Sequence, residues 1–190
     1  MSEQSAHIQF QNTNRWETKQ MVTMALMCAI SAIFMYVQIP LIPAAPFLTY
    51  DPSLVPAMVC GFAYGPASGL TVGVLAVVIH ALTTGDWVGG LMNVVAAAFY
   101  VLPAALVYKK LHSTKGAVLG LALGVIAATL ISVASNLTIG VWFWYGSADA
   151  ILPLMLPAVI PFNLLKTLIN SILTMVVYRA ISSLIDKNKR

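Results

Sequence analysis

Acidic side chains are few in this sequence: six Asp and Glu stand among 190 residues, against ten Lys and Arg, and only 8% of all residues are charged. Intramembrane carboxylates, the usual couplers of proton or sodium movement, are correspondingly hard to find. Asp51, Asp86 and Asp149 all fall between apolar stretches and read as outer-loop residues, which argues against ion coupling. Of three histidines, His80 alone lies within an apolar stretch, and it has no companion suited to a zinc pair or a nucleophile and base. It reads as a neutral, hydrogen-bonded helix residue. Hydrolytic chemistry therefore lacks its groups, so the chain is read as no enzyme, with no metal site and no cofactor. Cys28 and Cys60 sit in apolar stretches as buried fillers rather than a disulfide or a metal pair. The phosphate-cradling Gly-x-x-x-x-Gly-Lys-Ser/Thr loop is absent as well, so the chain does not hydrolyse ATP by itself.

What the sequence has is apolar length. Hydrophobic residues make up 59% of it, more than a soluble domain of this size can bury. Uncharged runs cover 20–50, 52–85, 87–108 and 116–148, and a last apolar segment around Lys166 ends near Ile185. A span needs about 20 apolar residues. The run 52–85, as one helix, would rise about 51 Å, well beyond a hydrocarbon core of about 30 Å, so it must turn. Gly65-Pro66 lies near its middle and is a strong stop and restart. The reading is an all-α integral membrane protein in one domain: a bundle of six transmembrane helices near 17–38, 52–65, 66–84, 89–110, 115–144 and 155–185. Residues 1–16 form a polar cytoplasmic lead without the order of a secretion signal.

Charge placement supports an even number of spans. Arg15 and Lys19 precede the first helix, Lys109, Lys110 and Lys115 join the fourth to the fifth, and Arg179, Lys187, Lys189 and Arg190 close the chain. Six helices put all nine on the cytoplasmic side with both termini, whereas five would split them. The net charge of +4 thus reflects topology in a multi-pass cell-membrane protein and gives no reason to expect nucleic acid as a partner.

The tenth basic residue, Lys166, stands inside an apolar segment. A cation there faces a polar cavity with partners, or else snorkels to the interface. Asn163 and Asn170, three before and four after, share its helix face. Asn93 opens the fourth helix, Asn136 lies in the outer part of the fifth, and Thr49 and Tyr50 sit in the loop after the first. Amides converging at one depth can read the edge of a planar heterocycle while aromatics cover its face; each Asn singly is as readily interhelical glue. On the first helix, Ala25, Ala29 and Ala32 form a shallow face that suits close helix approach or ordinary bundle packing.

Four stretches carry a family resemblance: Phe47-Leu48-Thr49-Tyr50-Asp51, Phe62-Ala63-Tyr64-Gly65-Pro66, Gly85-Asp86-Trp87-Val88-Gly89 leading to Asn93, and Ile160-Pro161-Phe162-Asn163-Leu164-Leu165-Lys166. Over nearly its whole length the chain resembles the substrate-binding S components of energy-coupling factor vitamin transporters, in particular the riboflavin-specific type. The resemblance implies a six-helix bundle that captures riboflavin from outside and pairs with a membrane scaffold subunit and two cytoplasmic ATPases. It further implies that Asn136, Asn163 and Lys166 contact the vitamin, that the loop 41–51 is a lid, and that Ala25 and Ala29 meet the scaffold; Leu48, Thr49 and Asn93, in or next to the matching stretches, are expected in the same substrate site. The lid and the region after Asn136 depart from the family pattern, and Trp142, Phe143 and Trp144 in the latter read as an interfacial belt. Two alternatives stand beside this one: an S component for another vitamin or a heterocyclic precursor, and a stand-alone proton-coupled secondary transporter using His80 or Lys166.

Overall fold

The computed structural model describes residues 16–43 and 45–187, with side chains to 178. The polar lead up to residue 15, Arg15 included, lies outside the described residues, as do Lys189, Arg190 and the side chains of Arg179 and Lys187. The chain is mostly helical, in the order α1 (Thr18–Phe34), β1 (Ile39–Pro40), β2 (Thr49–Tyr50), α2 (Leu54–Tyr64), α3 (Pro66–Thr84), α4 (Trp87–Leu111), α5 (Thr114–Ser135), α6 (Ala148–Leu154) and α7 (Ile160–Lys187). A π-helical stretch, Asn136–Tyr145, prolongs α5, and another, Met155–Val159, joins α6 to α7. Among the described residues, four stretches are long and apolar enough to cross a bilayer, Pro66–Thr84, Trp87–Leu111, Thr114–Tyr145 and Ala148–Tyr178; Thr18–Phe34 and Leu54–Tyr64 are shorter apolar helices.

The turn expected at Gly65-Pro66 is present. Gly65 takes φ +99°, open to glycine and strained for other residues, and Pro66 begins α3, where its missing N–H costs nothing. The α2–α3 hairpin then closes tightly, since a Cβ on Gly69 would lie 2.7 Å from the Gly61 Cα. A second close seam joins α4 and α5: a Cβ on Gly120 would lie 2.5 Å from the Ala104 carbonyl oxygen, and one on Gly124 2.6 Å from that of Tyr100. Small residues let membrane helices approach where lipid offers no hydrophobic drive. The buried core runs through these seams, with Met58, Cys60, Val72, Val101 and Tyr100 almost wholly enclosed.

Three expectations are corrected. The fold is not purely helical, because Ile39 pairs with Tyr50 and Pro40 with Thr49 in a small antiparallel ladder at the base of the 41–48 loop. Proline at 40, 43 and 46 denies that segment helical hydrogen bonds. The first helix ends at Phe34 rather than near 38, leaving through the tighter bonds Tyr36 N–H to Ile33 O and Val37 N–H to Phe34 O. The last helical path begins at Ala148 rather than 155, and its π-helical turn carries Pro157 where an ordinary helix would lose a bond.

Alternation of the helices gives the bundle two ends. At one lie Lys19, the Gly65 turn and the Lys109–Lys115 connection; at the other lie the 35–53 loop, the Gly85 turn, and the junction of the Asn136–Tyr145 stretch with α6. The rings of Phe62, Tyr108 and Tyr178 stack near the first end, with centroids 4.5–6.2 Å apart. The cavity opens at the second.

Candidate functional site

A cavity of about 510 Å³ lies beneath the 35–53 loop, within the range of about 300–1,000 Å³ usual for small-molecule sites. Its wall draws Phe47, Leu48, Thr49 and Asp51 from the loop, His80 from α3, Gly89, Gly90 and Asn93 from α4, Ser132, Asn136 and Tyr145 from α5 and its extension, and Phe162, Asn163, Lys166 and Thr167 from α7. Leu48, Thr49, Asn93, Asn136, Asn163 and Lys166, separated by more than a hundred positions in sequence, thus all line one cavity.

Each asparagine is held in the same way. Asn93 Nδ2 donates to Gly89 O at 3.0 Å, Asn136 Nδ2 to Ser132 O at 2.9 Å and Asn163 Nδ2 to Val159 O at 2.8 Å, each to the carbonyl one turn back. One amide proton is used in this anchoring, which leaves a second donor and the carbonyl oxygen of each amide for another partner. Asn136 Oδ1 also accepts a long bond, 3.4 Å, from Tyr145 Oη. The asparagines serve their own helices on one side and the cavity on the other.

Lys166 neither snorkels nor stands alone. Its Nζ lies 2.8 Å from Asp51 Oδ2, with the two side chains only 12% and 9% exposed. Asp51 is held in turn: Oδ1 accepts from Ser53 N–H at 3.1 Å and from Ser53 Oγ, and the Asp51 carbonyl accepts from Asn170 Nδ2 at 3.4 Å. Ser31 Oγ on α1 donates to Ser53 O at 2.6 Å. The root of the loop is therefore tied to both α7 and α1. Tyr50, on the loop beside Asp51, has its hydroxyl pKa raised by burial and, second, by the neighbouring carboxylate; its Oη finds no protein partner.

Asp51 is the cavity residue whose pairing with Lys166 sequence reading missed. It stands at the edge of an uncharged run, the usual place of a solvated loop acid, and its partner lies 115 positions away. The available signal was the cost of a lone buried cation, which demands an anion from a short supply of acids. His80 also has more to it than expected: it lines the cavity, its ring lies 5.0 Å from that of Tyr36, and its Nε2 is buried without a hydrogen bond. Trp142 and Phe143 are exposed, as an outer belt requires, but Trp144 and Tyr145 reach the cavity wall. Among the described residues no three His, Cys, Asp or Glu cluster in a way that could hold a metal ion.

On α1, Ala25 and Ala29 face outward beside exposed Met21, Val22, Leu26 and Ile33. Ala32 turns inward with Met24 and Cys28, so the three alanines do not form a single face.

Residues 19–178 match the family model of the ECF transporter substrate-specific component. The chain is 28% identical to the riboflavin transporter RibU of Staphylococcus aureus, covering 92% of this chain and 96% of that protein. It is 27% identical to the riboflavin transporter FmnP of Bacillus subtilis, covering 91% and 97%. Among solved structures, the S component of a bacterial ECF transporter superposes with a TM-score of 0.76 at 28% identity, over 88% of this chain and 97% of that one.

Proposed function

Because the chain belongs to the substrate-specific component family of ECF transporters, a family of multi-pass membrane transport proteins rather than enzymes, we propose that it is the subunit that captures riboflavin for uptake. The observation that carries this reading is the shared cavity: three amides, a threonine, a leucine and an ammonium converge on it from the loop, α4, α5 and α7. The free amide groups of Asn93, Asn136 and Asn163 and the ammonium of Lys166 hydrogen-bond the polar edge of the flavin ring, and Leu48 with the neighbouring aromatics covers its apolar parts. Binding orders the loop 41–51 over the ligand. Nothing in this task requires a bond to be made or broken.

All six longer helices cross the membrane in this reading, with α1 and α2 as the short spans and both termini in the cytoplasm. Lys19, Lys109, Lys110 and Lys115 stand at the end opposite the cavity, so the positive-inside rule opens the cavity to the exterior. Energy for release comes from outside the chain, through a membrane scaffold and two cytoplasmic ATPases, with Ala25 and Ala29 on the outer face of α1 as the contact to the scaffold.

The test is direct titration. Purified protein is expected to quench added riboflavin fluorescence, and Lys166→Ala or Asn163→Ala is expected to weaken binding by about 1–3 kcal/mol, the usual cost of deleting one donor from a polar-reading pocket. Parent-like affinity in both variants would overturn the site; no flavin binding by the parent would overturn the ligand.

A further inference from the structure

Resting on the riboflavin reading, we infer that Asp51 sets the charge selectivity of the cavity: by neutralising Lys166 it makes the site prefer an uncharged flavin to an anionic, phosphorylated one. A lone ammonium at the base of a concave, partly dehydrated site is an anion receptor, because charge-assisted hydrogen bonds strengthen where water is excluded. Here that ammonium is already committed. Its Nζ donates one N–H to Asp51 Oδ2 at 2.8 Å, and the two others remain for neutral acceptors such as a ring carbonyl.

The carboxylate is fixed in this task. Both Ser53 donors meet Oδ1 while Lys166 meets Oδ2, so each oxygen has its own partner. The charged and titratable groups on the cavity wall are Asp51, Asp86, Lys166, His80 and Tyr145. Two carboxylates thus face one ammonium. Asp86 is committed to capping α4, accepting from Gly89 N–H at 2.9 Å, and lies among exposed residues at the mouth. Asp51, buried against the ammonium, is the group whose removal changes the field inside. At an effective dielectric of about 20 and a separation of about 10 Å, one unit of charge alters the affinity of a phosphate monoester by more than about tenfold.

The full-length protein, purified in detergent, is titrated with riboflavin and with riboflavin 5′-phosphate by flavin fluorescence quenching. The parent is expected to bind riboflavin at least about tenfold more tightly than its phosphate ester. In Asp51→Asn, which keeps the shape and an acceptor for Ser53, that preference is expected to shrink by about tenfold or more; in Asp51→Glu it is expected to persist. Lys166→Gln supplies the reciprocal variant, with the preference for riboflavin growing even as both affinities fall. Equal binding of the two ligands by the parent overturns the inference and leaves riboflavin capture intact. Equal weakening of both ligands in Asp51→Asn also overturns it, leaving Asp51 as a mere tie for the loop. Should Asp51→Asn fail to give a monodisperse protein, the parent ratio and the direction of change in Lys166→Gln decide. Binding of neither ligand by the parent sinks the riboflavin reading itself.

Discussion

Lys166 and Asp51 show what a single side chain can and cannot announce in a sequence. A lysine between Leu165 and Thr167 in an apolar run stands out because its solvation cost is large and local. An aspartate at the margin of such a run does not, because the cost is hidden until the fold brings the ammonium within 2.8 Å. The asparagines fall between: their helical spacing from Lys166 or their shared depth was legible, whereas the backward bonds that orient them depend on backbone geometry. The ion pair also has a measurable structural share. Removing one member of a buried pair leaves the other unmatched, so Lys166→Met is expected to lower stability by about 1–3 kcal/mol, reduced from the fully buried case because the cavity admits water. Lys166→Met combined with Asp51→Asn is expected to recover part of that loss, read as the thermal midpoint in detergent and treated as a double-mutant cycle.

At the level of elements, the parts best read in advance were those with a steric cause. Gly65-Pro66 ends α2 and starts α3 where expected, because a positive φ and a proline at the first helical position leave few alternatives. The β1–β2 ladder and the π-helical stretches were not legible, since two paired residues leave no periodic signal and a π turn has the composition of any apolar helix. The seams between helices carry their own prediction. Gly120→Val forces a branched side chain against the Ala104 carbonyl, and Gly69→Val against the backbone of α2; either is expected to cost about 1–3 kcal/mol and to reduce the yield of monodisperse protein. Riboflavin binding per folded molecule should fall more for Gly69→Val, whose hairpin leads directly from the loop root. On α1 the outward alanines predict the opposite separation: Ala25→Leu with Ala29→Leu, both in exposed positions, should leave riboflavin affinity unchanged while abolishing co-purification with scaffold and ATPase subunits.

The whole molecule divides its work between two ends. Basic residues gather at the end of Lys19 and the Lys109–Lys115 connection, and the cavity occupies the other, a polarity that the charge pattern alone had already set out. With no intrinsic energy source expected from the sequence, the chain in sealed vesicles is expected to bind riboflavin without accumulating it. ATP-dependent accumulation should appear only when scaffold and ATPase subunits are reconstituted with it. Uptake by the chain alone under a pH gradient, abolished by His80→Ala, would instead favour proton coupling.

The tie between Asp51 and Lys166 spans most of the polypeptide, and it has a consequence for the order in which the protein is made. Translation of α1 to α5 precedes that of Lys166 and Asn163, so the early chain carries Asp51 without its ion-pair partner and a cavity with one wall absent. If the cavity captures riboflavin as proposed, binding is expected only once the final helix is made, and a nascent chain arrested near residue 147 should emerge with an open, ligand-blind bundle.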